Sequence, residues 1–176
     1  MAVLDGPREP PFQGFTRRAL IVIALAGDEC EDFGHARCDV GYLVLGMLRE
    51  GHGVAGIALE SEGISFGTCR EAVAEMGVPG EPPPLRRPVP MTPTFQSLLQ
   101  GSLYEAFQLG HSYVGTEHLL LAVVRLGESG DSRISMLLGT DFDRLRGRVY
   151  DLLGGIPEPH PPPAQRWPAT NPGPAP

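Results

Sequence analysis

Three consecutive side chains, Thr116, Glu117 and His118, stand at the head of an apolar run, Leu119-Leu120-Leu121, and offer a hydroxyl, a carboxylate and an imidazole within one turn. A threonine before such a run reads as a helix N-cap, with Glu117 as the first helical residue. Free backbone N–H groups at a helix start form an anion site, and a carboxylate beside them takes a guanidinium as a bidentate pair. A plainer reading stands next to it: Thr116 caps, and Glu117 favours the helix dipole by about 0.3–1 kcal/mol. A second group, Cys30, His35, Cys38 and Asp39, brings together donor types that suit zinc, or a thiol-dependent hydrolase built on Cys38 and His35. It lacks CxxC or HxxxH spacing, and three cysteines are an odd set for a disulfide scaffold. Reduced thiols are expected, with no metal, no cofactor and no catalytic residue. His35 and His111, each following a glycine, are expected to pack or to cap helix ends.

The elements that must position these groups are marked out by proline. The chain has 176 residues and 19 prolines, confined to 7–11, 79–93 and 157–176. Because a helix interior tolerates proline at a cost of about 3 kcal/mol, the proline-free blocks 12–78 and 94–156 are the candidates for helix packing. An apolar content of 41% fits a globular core. All 14 basic residues are arginine, and the net charge of −7 argues against a nucleic-acid binder. The longest apolar run, Ala19–Ala26, is far shorter than the roughly 18 residues needed to span a bilayer. The start, MAVLDGPREPPF, has no basic stretch leading into an apolar one, so a cytoplasmic address is expected.

The two blocks are copies of each other. An offset of 76 superposes 12 identities between 15–77 and 91–153 without a gap, among them Thr16/Thr92, Glu29/Glu105, Gly34-His35/Gly110-His111, Arg49/Arg125 and Val73/Val149. Phe66, Cys69, Val73 and Met76 match Phe142, Leu145, Val149 and Leu152, a helical stripe closing each copy. The run ALIVIALA in copy one could pass for a strand, but its counterpart puts Phe95, Leu98, Leu99, Leu103, Ala106 and Phe107 on one helical face behind Pro93. Glycines at 34, 51, 63, 110, 127 and 139 fall where helices should stop. The expected fold is all-α: two tandem four-helix repeats, eight helices with pseudo-two-fold symmetry.

The segment Gly110-His-Ser-Tyr-Val-Gly-Thr-Glu-His-Leu-Leu-Leu121, with Phe15-Thr-Arg-Arg-Ala19, Leu48-Arg-Glu-Gly-His-Gly-Val-Ala55 and Leu59-Glu-Ser-Glu-Gly-Ile-Ser65, resembles the signature of the Clp N-terminal repeat domain found at the front of ClpA- and ClpC-type unfoldases, the ClpC type most of all. The resemblance covers 12–155: repeat one at 12–77, linker at 78–92, repeat two at 93–155, with a flexible N-terminus at 1–11 and a proline-rich, disordered tail at 156–176. A P-loop needs a lysine for the nucleotide phosphates, and the chain has none. A free-standing N-domain without AAA+ modules is therefore expected.

The resemblance implies a binding module for peptides or degron-bearing proteins, linked to Clp unfoldase or protease components. Its ClpC relatives hold phosphorylated arginine through the GTEH glutamate, which assigns Thr116, Glu117, His118 and Thr92 to that site. In copy one Val40, Gly41 and Tyr42 stand opposite Thr116, Glu117 and His118, so one site rather than two is expected. The resemblance further implies a groove for cyclic peptide antibiotics, as in actinobacterial ClpC-type domains, built here from Phe12, Phe15, Ala24, Gly27 and Met91. Gly27 stands where the family carries glutamine and Met91 where it carries phenylalanine. Phe12 and Phe15 read equally as a helix-start staple. The implied role is a decoy or adaptor that captures degrons or sequesters antibiotic peptides; the alternative is a regulator that docks through its surface and its proline-rich tail, with Trp167 as an anchor.

Overall fold

Apolar residues at helical spacing, with proline held to the block ends, give each repeat four helices. The computed structural model describes residues 14–76 and 89–155. Repeat one forms α1 (Arg17–Asp32), α2 (Val40–Glu50), α3 (Val54–Ser61) and α4 (Phe66–Met76). Repeat two forms α5 (Pro93–Gln108), α6 (Thr116–Glu128), α7 (Ser132–Leu138) and α8 (Phe142–Leu152). The fold is all-α; the described residues hold no strand, only two isolated bridges. The segment 1–11, most of 78–92 and all of 156–176 lie outside the described residues.

The two repeats share one core. Within each, the first two helices pack as a pair, α1 on α2 and α5 on α6. Across the repeats, α3 packs on α6 and α8, α4 on α7, and α1 on α6. The ALIVIALA run is the middle of α1, with Val22, Ile23 and Ala26 buried and Leu20 and Ile21 facing out. The closing stripes hold as read: Cys69, Val73, Leu145 and Val149 are buried, and Phe66, Met76, Phe142 and Leu152 pack at the edge of the core.

Several identities between the copies turn out to be matched interactions. Thr16 and Thr92 are N-caps, their hydroxyls accepting from Ala19 and Phe95 N–H at 3.2 Å each. Glu29 and Glu105, both buried on the first helix of their repeat, take Arg49 at 3.0 Å and Arg125 at 2.6 Å from the second. The backbone bridges match as well. Thr16 N–H donates to the Val114 carbonyl and Val114 N–H to that of Gly14, each at 2.8 Å. Cys38 N–H donates to the Pro90 carbonyl and Thr92 N–H to that of Cys38, each at 2.9 Å. Each repeat thus pairs its leading segment with a loop of the other.

Two expectations need correction. Leu103 and Phe107 are 44% and 40% exposed instead of joining the buried face of α5. That face runs through Phe95, Leu98, Leu99, Ser102, Glu105 and Ala106, turned so that Glu105 meets Arg125. Gly127 does not stop its helix. It lies inside α6, where a Cβ would fall 2.3 Å from the Phe142 ring, and the left-handed turn comes at Gly130 with φ +100°. Gly51, by contrast, ends α2 in the left-handed region at φ +66°.

Candidate functional site

The segment from His111 to His118 is built around the start of α6. Its N-cap is Gly115, one residue earlier than the sequence reading placed it, so Thr116 and Glu117 are the first two helical residues. Gly115 has no side chain to cap with, and the His118 ring does related work: its Nδ1 accepts the Gly115 N–H at 2.8 Å. This fixes the tautomer. With Nδ1 accepting, neutral His118 carries its proton on Nε2 and donates it to His111 Nδ1, 2.9 Å away. Burial, and then the charge of His111, push His118 down to about 3, so the ring is neutral at ordinary pH. Tyr113 stacks on His111 with ring centroids 5.0 Å apart. His111 closes the end of α5, its backbone N–H donating to the Ala106 carbonyl at 2.9 Å, and its ring positions His118.

Thr116 is buried and looks toward the other repeat. Its Oγ1 accepts the Ala55 N–H at 3.3 Å, capping α3, whose own N-cap Gly53 has no side chain to do so. A Cβ on Gly53 would lie 2.6 Å from that oxygen. The hydroxyl is thus engaged between repeats and does not cap α6.

Glu117 is 6% exposed, and its carboxylate folds back over Gly115, whose missing Cβ would lie 2.4 Å from both oxygens. Oε1 is 3.6 Å from His118 Nδ1. Burial raises its pKa above the usual carboxylate range, partly offset by its own backbone N–H and by His111. The other buried glutamates, Glu29, Glu50 and Glu105, each hold an arginine. Among the described residues, the ionisable neighbours of Glu117 are the histidines His118 and His111, and no arginine pairs with it.

His111, Glu117 and His118 place one donor atom each within 4.8 Å of one another, a set that sequence reasoning did not single out for metal. The hydrogen bonds argue against that use. A metal on His118 Nε2 requires a proton on Nδ1, which would then meet the Gly115 N–H it now accepts. The cysteine group is similarly committed. Cys30 Sγ donates to the His35 carbonyl at 3.5 Å and Cys38 Sγ to that of Ala26 at 3.4 Å, while His35 Nδ1 pairs with the Tyr42 hydroxyl.

Repeat one retains more of the site than positions 40–42 indicate. Asp39, equivalent to Gly115, is the N-cap of α2, and its Cβ springs from the place where repeat two folds the Glu117 carboxylate. The acid has moved from inside the first turn to the cap. Asp39 Oδ2 also holds a guanidinium, that of Arg133 from α7, at 2.9 Å. Tyr42 stands in for His118 by pairing with His35. The signal was present in the sequence: an aspartate directly before the apolar run Val40–Leu45. Thr92, assigned with Glu117, instead donates its hydroxyl to Asp39 Oδ1 at 3.1 Å, on the repeat-one side.

Of the residues expected in the apolar groove, Phe12 lies outside the described residues. Ala24 is exposed and Gly27 half-buried, one turn apart on α1, with open space where a Gly27 Cβ would stand. Phe15 and Met91 hold equivalent positions in the two bridges, Phe15 beside Val114 and Met91 beside Cys38.

Comparison with known proteins agrees with this duplicated architecture. The family model of the Clp repeat (R) N-terminal domain matches residues 14–138 and again 91–171. The chain is 38% identical over 143 residues to the chaperone protein ClpB of Oceanobacillus iheyensis, and 36% identical over 143 residues to the negative regulator of genetic competence ClpC/MecB of Bacillus subtilis. Each match covers 81% of this chain and 17% of the relative, so the chain spans about a sixth of the length of these proteins. Among solved structures, the N-terminal domain of the chaperone ClpD from Arabidopsis thaliana superposes with a TM-score of 0.67 at 20% identity, covering 82% of this chain and 97% of that one. The ClpV N-domain in complex with VipB peptide gives 0.64 at 14% identity, covering 89% and 100%. The chain belongs to the Clp repeat (R) N-terminal domain family.

Proposed function

We propose that this member of the Clp N-terminal repeat family is a non-enzymatic capture module for peptides and degron-bearing proteins, working as an adaptor or decoy in Clp proteolysis. Its relatives include a chaperone protein, a negative regulator of genetic competence and an ATP-binding subunit of an ATP-dependent Clp protease, and a ClpV N-domain has been solved with a peptide.

The observation that carries the reading is Glu117. It is a buried carboxylate at a helix N-terminus whose described ionisable neighbours are the histidines His118 and His111, whereas Glu29, Glu50 and Glu105 each hold an arginine. Carboxylate next to helix N–H groups suits a ligand with a cationic guanidinium joined to an anionic phosphoryl group, the chemistry of phosphoarginine. The side chain must swing off Gly115 to engage it. Calorimetric titration with free phosphoarginine tests this: wild type should bind, and Glu117→Ala should bind at least tenfold more weakly. Equal affinity in the two proteins would sink the assignment.

Sequestration of cyclic antibiotic peptides is a further use of the same module. Its support is the open surface of α1 at Ala24 and Gly27. Removing residues 157–176 separates capture from docking through the tail: capture should survive the deletion, and a pull-down of Clp components that depends on the tail should not.

A further inference from the structure

A cavity of about 330 Å³ lies between the repeats, walled by the start of α2 and by α4 of repeat one and by α7 of repeat two. It is at the small end of the range for ligand sites. Val40, Val73, Met76 and Leu137 supply its apolar wall. Gly41, where repeat two carries Glu117, adds neither bulk nor negative charge.

The polar rim carries two carboxylates and two guanidiniums, which differ in what they already bind. Three of the four carboxylate oxygens are engaged in the fold. Asp39 accepts from Val40 N–H at 2.8 Å, from the Thr92 hydroxyl at 3.1 Å and from Arg133 at 2.9 Å. Asp131 caps α7, accepting from Arg133 and Ile134 N–H at 3.0 and 3.2 Å. The cations retain donors. Arg133 meets Asp39 through Nη1 and is 59% exposed. Arg37 lines the cavity, exposed and with no partner among the described residues. A ligand that complements this rim brings acceptors and negative charge, and the wall asks for an apolar group close to them.

We propose that this cavity binds the free C-terminus of a peptide ending in an aliphatic residue. The last side chain packs on Val73, Met76 and Leu137, and the terminal carboxylate pairs with Arg37. A C-terminal residue carries both groups on one carbon, which fits a cavity of this size. The inference rests on the reading of the chain as a peptide-capture module and is independent of Glu117, which does not line the cavity.

The test uses the full chain and a fluorescein-labelled pentapeptide, Gly-Ser-Ala-Leu-Leu, as free acid and as C-terminal amide, read by anisotropy. The acid should bind at least tenfold more tightly than the amide. Arg37→Ala should bring the acid down to the level of the amide without changing the melting temperature, since Arg37 is on the surface. Glu117→Ala should leave acid binding unchanged. Equal binding of acid and amide, or an Arg37→Ala protein that still prefers the acid, overturns the proposal. Displacement by octanoate as potent as by unlabelled peptide also overturns it, by assigning the site to free aliphatic acids. Should the peptide fail while phosphoarginine still binds through Glu117, this inference falls alone and the capture reading stands.

Discussion

His118 and Glu117 are adjacent, both buried, and pull the pH dependence of stability in opposite directions. Burial lowers His118 to about 3, so protonating it costs the folded state. The stability it supports is complete above its ordinary value near 6.5 and is lost as pH falls from there toward 3, at up to about 1.4 kcal/mol per pH unit. Glu117 is raised, so its ionised form is the disfavoured one in the fold, and its contribution declines as pH rises through and above the usual carboxylate range. Glu117→Gln should therefore stabilise the protein at pH 7, on the order of 0.5–2 kcal/mol, while weakening guanidinium capture. Urea midpoints between pH 7 and 4 check both: the variant, relieved of the opposing term, should lose stability on acidification more steeply than wild type. A variant no more stable than wild type at pH 7 would contradict the burial argument. The types of these residues were legible in the sequence, but their roles were not, because each role is set by a partner outside the Thr116–His118 trio. The Gly115 N–H fixes the tautomer of His118, Ala55 of repeat one takes the Thr116 hydroxyl, and Gly115 leaves room for the Glu117 carboxylate.

At the scale of elements, α1 and α2 approach backbone to backbone. A Cβ on Gly46 would lie 2.4 Å from the Val22 carbonyl oxygen, and backbone cannot step aside as a side-chain tip can. Gly46→Ala should cost about 1–3 kcal/mol, although repeat two carries Ala122 at the same offset. Thermal melts of Gly46→Ala measure it, and an unchanged midpoint would show that α1 and α2 slide apart without penalty. Thr116→Val removes the oxygen that caps α3 and should cost about 1 kcal/mol, read in the same melts. The closing stripes were readable because they follow from periodicity within each copy, and the helix number because copy two resolved the ALIVIALA run of copy one. Leu103 and Phe107 were misplaced because the buried face of α5 includes the polar Ser102 and Glu105, and the partner that makes Glu105 a buried residue, Arg125, lies on the neighbouring helix. Gly127 was misread because an ungapped alignment carries residue identity across the copies but not helix length: α2 ends at Glu50 and α6 continues to Glu128.

For the whole molecule, the shared core makes the two repeats a single cooperative unit. α3 is sandwiched against α6 and α8, and α4 rests on α7, so a separated repeat would expose much of its apolar surface. A fragment holding residues 89–155 alone should show little cooperative melting by circular dichroism, whereas the intact chain should melt in one transition. Two independent transitions in the intact chain would refute a common core. No helix among the described residues is long and apolar enough to cross a membrane.

The reciprocal backbone bridges, Gly14–Thr16 onto Val114 and Pro90–Thr92 onto Cys38, have the geometry of an isologous contact between two subunits, in which each partner lends the other the same segment. Seen this way, the molecule is a homodimer written on one strand of polypeptide. The connection through 78–92 replaces a concentration-dependent encounter with a tethered one. Because the halves are joined, they need not be identical to assemble: one has a glutamate at its helix start, and the other a glycine behind an aspartate cap.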